Sequence, residues 1–142
     1  MKRRRSREYA LQILFQLELT GSKLSDAVLD EFWEDNKEDD EVKKFTHDIV
    51  SSTLEHLETI DRTIQKAAEH WVMERMAAID RNILRAATYE LLYRTDIPST
   101  VAINEALEVA KKYSTEDSAP FINGILDKIA TEVLPASSGS KE

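Results

Sequence analysis

A chain of 142 residues with three Gly, three Pro and no Cys can bury a single core but cannot form disulfides, catalytic thiolates or thiolate metal sites. Its formal net charge is −8, so the bulk of the molecule repels polyanions and any nucleic-acid affinity must be concentrated in one place. No apolar run approaches the ~20 residues of a membrane span, and Gln12, Gln16 and Glu18 break up the stretch behind the basic start, which excludes a secretory signal. The absence of cysteine suits a cytoplasmic protein.

Nearly every periodic segment repeats at 3.6 residues rather than 2. The first helix is expected from about Arg4 to Thr20, with Gly21 placed for a left-handed cap. Ser25 caps a short second helix that turns Val28, Leu29, Phe32 and Trp33 inward. The acidic stretch Glu34 to Glu41 reads as a solvated loop leading into a helix N-terminus, where carboxylates suit the dipole. A third helix carries Val42, Phe45, Ile49, Val50, Leu54 and Leu57. Thr59 is the expected cap of a fourth, ending near Trp71. The fifth, from about Ala77 to Arg94, is the most apolar and is expected at the centre of the molecule. Asp96-Ile97-Pro98 ends it. The sixth is expected from Ala102 to Tyr113. The seventh starts around Asp117-Ser118-Ala119-Pro120, with the proline in its first turn, and ends at Leu134-Pro135. The expectation is an all-α domain of about seven helices over residues 1–135, then a small, polar, disordered tail, 136–142.

The run Lys2-Arg3-Arg4-Arg5-Ser6-Arg7 is the strongest chemical signal. Its five cations against Glu8 give +4, which leaves −12 for the rest of a chain at −8. Composition did not produce this patch. It flows into the first helix without a breaker, so its charges are held in fixed geometry. Arg3 and Arg7, at i and i+4, share a stripe, while Arg4 can pair with Glu8. Arginine's planar fork suits phosphates and guanine edges. The blander reading is an ordinary basic terminus. The run alone does not separate RNA from DNA or from an acidic protein.

Other features are weaker. Lys111-Lys112-Tyr113 is a second basic spot, and lysines near a helix C-terminus are favoured by the dipole anyway. Asn123-Gly124 sits inside a helical pattern at a cost of roughly 1 kcal/mol against alanine. Close helix packing is the first explanation for it, and close approach of a ligand the second. Phe121 is either core or a base-stacking surface. His47, His56 and His70 lack zinc-helix spacing, and no phosphate loop or nucleophile elbow occurs. Neither catalysis nor a metal or cofactor is expected.

Taken together these residues resemble the NusB family of bacterial transcription-antitermination factors. Arg3-Arg4-Arg5-Ser6-Arg7-Glu8-Tyr9-Ala10-Leu11-Gln12 is similar to that family's arginine-rich opening, where Ala is usual at the place of Ser6. Ile79-Asp80-Arg81-Asn82-Ile83-Leu84-Arg85 with Tyr89-Glu90-Leu91 resembles its central helix. Ile97-Pro98 with Val101-Ala102-Ile103-Asn104-Glu105-Ala106 resembles the start of its sixth helix. Glu116-Asp117-Ser118 with Phe121-Ile122-Asn123-Gly124-Ile125-Leu126-Asp127 resembles its last.

The resemblance implies two small packed helical bundles. It implies binding of single-stranded boxA RNA together with NusE, the small-subunit ribosomal protein, within an antitermination assembly on RNA polymerase that promotes transcription of ribosomal RNA operons. It implies that Arg3, Arg4, Arg5 and Arg7 contact RNA, that Asp117 and Phe121 lie near the RNA surface, and that Phe15 and Asp80 serve NusE. Lys111 joins the RNA set as part of the second basic spot. The alternative reading of Asp80 is a solvated helix-start carboxylate. Some members of the family dimerise and hide the RNA surface, so a homodimer stays open. Pro120 departs from a family position that is often basic. Fused rRNA methyltransferases carry similar domains, and no methyltransferase domain is expected after Leu134.

Overall fold

The computed structural model describes residues 1–133. Over these the chain forms α1 (Lys2–Thr20), α2 (Asp26–Asp35), α3 (Asp40–Glu55), α4 (Leu57–Ala67), a 3-10 turn (Met73–Arg75), α5 (Ala78–Tyr93), α6 (Ser99–Tyr113) and α7 (Ser118–Glu132). Every element is helical, as the 3.6-residue periodicity requires. The expected last-helix end at Leu134-Pro135 and the tail 136–142 fall outside the described residues.

The most apolar helix is indeed central. α5 packs against α1, α3, α4, α6 and α7, and its Ile83, Leu84, Ala87 and Leu91 are all buried. α1 packs on α3 to one side, and α6 on α7 to the other. The two bundles share a single apolar cluster that runs from Ala10, Leu11 and Leu14 through Ile49 and Leu84 to Ile122, Leu126 and Ile129. At ~25 cal/mol per Å² of apolar area, burial of such side chains is the main term holding the helices together.

Several boundaries differ from the sequence reading, each for a local reason. α3 and α4 are separated by His56 alone, whose φ −107°, ψ 24° interrupts the helix. Thr59 therefore lies inside α4 rather than capping it; its carbonyl accepts from the Thr63 hydroxyl at 2.9 Å. α4 stops at Ala67, short of Trp71, because Gln65 ties off the turn. Its amide nitrogen donates to the Ala68 and Trp71 carbonyls, and its oxygen accepts from the Met73 N–H at 3.0 Å. Trp71 is left 58% exposed. The acidic stretch is not one solvated loop. α2 continues to Asp35, Asp39 caps α3 by accepting from the Val42 N–H at 3.0 Å, and the Glu38 side chain is only 10% exposed. Ser25 and Gly21 act as read, Ser25 accepting from the Val28 N–H and Gly21 closing α1 at φ +69°.

Gly124 is exposed on α7, and a Cβ placed on it would meet nothing within 4 Å. Close helix packing is thus not the reason for this glycine. Its backbone lines a groove with Trp71, Phe121 and Lys128. Gly124→Ala is expected to stabilise the isolated protein by about 0.5–1 kcal/mol, because helix propensity rises with no steric cost. Urea denaturation of the two proteins checks this, and a destabilised variant would contradict the open space above the residue.

Candidate nucleic-acid interface

The first turns of α1 have an inside and an outside. Ser6, fully buried, donates its hydroxyl to the Val42 carbonyl of α3 at 3.0 Å. The hydroxyl found where the family usually carries a methyl group is therefore satisfied, and the residue remains small enough for α1 and α3 to meet. Arg7 also points inward. It makes a two-pronged bond to Glu90 of α5, both contacts 2.8 Å, with the two side chains 9% and 3% exposed. Glu105 stands 3.7 Å from the same guanidinium.

With Ser6 and Arg7 fixed inside, Lys2, Arg3, Arg4 and Arg5 are left on the outside. Each but Arg3 is met by a carboxylate from another element. Arg4 binds Glu105 of α6 at 2.9 and 2.8 Å, rather than Glu8 as the helical spacing suggested. Glu8 instead accepts from Lys112 at 2.8 Å and from the Tyr113 hydroxyl at 2.9 Å. Arg5 binds Glu38 at 2.8 and 3.2 Å, and Glu38 also accepts from the Tyr9 hydroxyl. Lys2 reaches Asp39 and Glu41, each at 3.2 Å. The Arg3 guanidinium lies over the Phe45 ring, 4.5 Å from its centroid.

These contacts fix protonation as well as geometry. The bond from Arg5 holds the Glu38 carboxyl below the usual carboxylate range, and the bond from Arg4 does the same for Glu105. The Val42 N–H, then Lys2, hold Asp39 low. Glu41 and Asp39 in turn raise Lys2.

The remaining candidates lie elsewhere. α1 and α5 run antiparallel, since Arg7 meets Glu90 near one end while Glu18 meets Arg81 near the other. The Arg4–Phe15 separation along α1 is about 16 Å at 1.5 Å per residue. Asp80 belongs to that far end. It is not a solvated carboxylate: it is 8% exposed and accepts from Ser114 at 2.6 Å and Ser118 at 2.9 Å, which ties the start of α5 to the α6–α7 junction. Asp117, beside Ser118, is exposed and its side chain caps nothing. Phe121 is half-buried, edge-on to Trp71 at 5.3 Å. Phe15 is half-exposed on α1, and Lys111 is exposed and paired with Glu108. The structure thus groups Arg3, Arg4 and Arg5 at one end, and Asp80, Asp117 and Phe121 at the other.

A family model for the NusB family matches residues 4–131. The chain belongs to the NusB family. Its relatives include the transcription antitermination protein NusB of Thermodesulfovibrio yellowstonii, 49% identical, with 94% of this chain and 95% of the relative covered. A solved NusB from T. maritima is 42% identical, covers 92% of this chain and 91% of its own, and superposes with a TM-score of 0.83. A further fold match, at 24% identity and a TM-score of 0.82 over 92% of this chain and 96% of its own, is to a crystal structure of the antitermination factors NusB and NusE in complex with double-stranded RNA. Transcription antitermination is therefore the function of this NusB-family chain.

Sequence reasoning did not find the acceptors Glu38, Glu90 and Glu105. Glu90 and Glu105 stand inside the motifs that carry the resemblance, but nothing local shows that α1 would dock on them. No group of acidic or histidine side chains that could hold a metal occurs among the described residues, nor a helix long and apolar enough to cross a membrane.

Two outcomes follow from the ion pairs. Glu90→Gln leaves a buried cation half-matched and should cost about 3 kcal/mol in urea denaturation; a loss under ~1 kcal/mol would mean that Glu105 alone suffices. For pH, Glu38, Asp39 and Glu105 all have folded-state pKa values below their unfolded ones. Their contribution is complete above the unfolded values of about 4 and is lost as pH falls through the lower folded values. Stability should drop below about pH 4, and less steeply in Glu38→Gln/Glu105→Gln than in the unaltered chain.

Proposed function

We propose that this chain acts as an adaptor with no turnover. It binds boxA-type single-stranded RNA along the start of α1 and docks NusE, within the antitermination assembly on RNA polymerase that promotes ribosomal RNA operon transcription in the cytoplasm. A single domain over residues 1–135 does this. The observation that carries the reading is the outward fan of Arg3, Arg4 and Arg5 at the start of α1, set in place by the inward Ser6 and Arg7. Guanidiniums already held extended by carboxylates take phosphates in their place with little ordering cost, and their remaining N–H edges are left for bases. Family membership supports the same reading, while the neighbour of the same fold that was crystallised with NusE holds double-stranded RNA, which is why duplex RNA belongs in the test.

In this reading Arg7 positions the fan from within, since reaching a phosphate would break a buried pair. Lys111, Asp117 and Phe121 meet RNA or its edge further along the molecule, with Asp117 tempering affinity by its charge and Phe121 offering a ring. Phe15 and Asp80 serve NusE. Phe15 offers a half-exposed aromatic ring, and Asp80 acts by holding the α6–α7 junction in shape.

Titration with single-stranded boxA-type RNA and with duplex RNA, each with and without NusE, tests the proposal. Three phosphate contacts contribute about −2 to the slope of log affinity against log salt. Arg3→Gln/Arg4→Gln/Arg5→Gln should remove most of that slope and weaken binding at every salt concentration. An unchanged slope, or preference for the duplex, would overturn the single-strand reading. A second outcome concerns Asp117, where Asp117→Asn should raise RNA affinity, more at low salt than at high. Lower affinity with the fold intact would show that the carboxylate makes a needed contact.

A further inference from the structure

Three guanidiniums crowd the ring of Phe45. The Cζ atoms of Arg3, Arg94 and Arg7 lie 4.5, 5.1 and 5.6 Å from its centroid. They come from two helix ends, the start of α1 and the residue that closes α5. The ring itself is 8% exposed, so it serves as an apolar wall against which the cations are stacked. The charges around it do not balance. Arg7 is matched by Glu90 in a buried two-pronged pair. Arg94 has one carboxylate, Asp96, bound at 2.9 and 2.8 Å. Arg3 belongs to none of the described ion pairs and is exposed. Two cations therefore share one anion beside an apolar surface. Like charges held together in this way call for a further anion, and the local field is strongest where solvent is partly excluded.

Asp96 is the exchangeable member of this group. Its side chain is 58% exposed, whereas the Arg94 side chain is 20% exposed and held in place by the ring. Arg94 above all, with a smaller contribution from Arg3, draws the Asp96 carboxyl down to about 2. Asp96 thus stays an anion at neutral pH and feels both guanidiniums. Raised basicity at Arg94 traces to Asp96 first and also to the Tyr89 hydroxyl. The fork of Arg94 already presents the geometry that a phosphodiester uses, since a carboxylate and a phosphate accept the same two parallel N–H bonds.

We infer that Arg94 and Arg3, stacked on Phe45, form a phosphate subsite in which one phosphodiester of the bound RNA takes the place of Asp96. This rests on the RNA reading proposed above and extends the arginine row of α1 onto the end of α5, a residue outside the basic run. Asp96 acts there as the resident counter-anion, which keeps Arg94 ordered when no RNA is present and competes with RNA when it is.

The test is a titration of the full chain with boxA-type single-stranded RNA, NusE supplied throughout, over a range of salt. Arg94→Gln should weaken binding about fivefold at 0.1 M salt and make the slope shallower by about 0.7. Asp96→Asn should tighten binding about twofold to fivefold, and this gain should vanish in the Arg94→Gln background, because the competition it relieves runs through Arg94. Arg94→Lys keeps the charge but not the fork. It should retain the slope while losing part of the affinity, and it serves in place of Arg94→Gln where circular dichroism shows that the glutamine variant has lost its fold. An Arg94→Gln protein that is folded and binds with unchanged affinity and slope overturns the subsite while the α1 row stands. Equal gains from Asp96→Asn with and without Arg94 overturn the exchange as well. An unaltered chain that binds no RNA overturns the subsite and the RNA reading together.

Discussion

The buried pair between Arg7 and Glu90 sets the register of the first helix against the central one. Two side chains 9% and 3% exposed, joined by two 2.8 Å bonds, cannot slide by a residue without leaving a charge unpaired inside the protein. Ser6 adds a second fixed point by its bond to the Val42 carbonyl. At the opposite end of the same helix pair, Glu18 meets Arg81 and Arg85. The polarity of the two matches is reversed. α1 contributes the cation at one end and the anion at the other, so only the antiparallel arrangement satisfies both. The direction in which the arginines point is thus decided by the buried Arg7–Glu90 pair at one end and by the partly exposed Glu18 with Arg81 and Arg85 at the other.

The outer arginines depend on a second constraint, the acidity of everything around them. In a chain at −8, every outer cation of the run except Arg3 meets a carboxylate. Glu105 from α6 takes Arg4, Glu38 from the loop before α3 takes Arg5, and Asp39 and Glu41 at the start of α3 share Lys2. These contacts are partly solvated and are weak as stability terms. Their consequence is geometric. They spread neighbouring like charges onto separate partners and hold extended side chains that would otherwise lose rotamer freedom on binding. In the proposed RNA reading an incoming phosphate exchanges with a carboxylate, so each gain is a difference between two similar bonds. On that reading net affinity is modest per contact and strongly dependent on salt, which suits the proposed sharing of the RNA with NusE.

What could be read in the sequence was whatever is local. Helical periodicity, the Ser25 cap, the left-handed Gly21 and Pro120 in the first turn of the last helix all depend on residues a turn or two apart. The apolar richness of the fifth helix gave its central place for the same reason. The basic run was visible because it contradicts the composition around it. Missed features share one character: each joins residues far apart in the chain. The spacing of Arg4 and Glu8 suggested a pair, but α6 brings Glu105 to Arg4 and Lys112 to Glu8. The resemblance puts Asp80 on the NusE surface, with a solvated helix start as the alternative, and neither reading foresees the two serines that the α6–α7 junction places over it. Glu38 was lost in an acidic stretch. Phe45 was read as core and Arg94 as a helix end, which both are, yet neither position shows that they meet. The break at His56 has no Gly or Pro to mark it, so a single residue of altered backbone passed as continuous helix with a shifted boundary.

The arrangement also separates two kinds of surface on one rigid rod. The α1–α5 pair carries the arginine row at one end and, about 16 Å away along α1, the Phe15 level and the junction that Asp80 holds together. Nothing hinged lies between them within the pair. α1 is continuous from Lys2 to Thr20, and α5 from Ala78 to Tyr93, with its interior face packed into the shared core. A rigid rod fixes the distance and angle between whatever is bound at its ends. In the proposed adaptor reading this fixed relation is itself the useful property: RNA gripped at the arginine end and running on towards Phe121, and NusE at the Phe15 level, are presented to each other in one geometry. The ordering cost of that presentation was met when the domain folded, so it does not weaken the later association. The buried ion pair that sets the register of the rod therefore also fixes the relation between the arginine end and the Phe15 level.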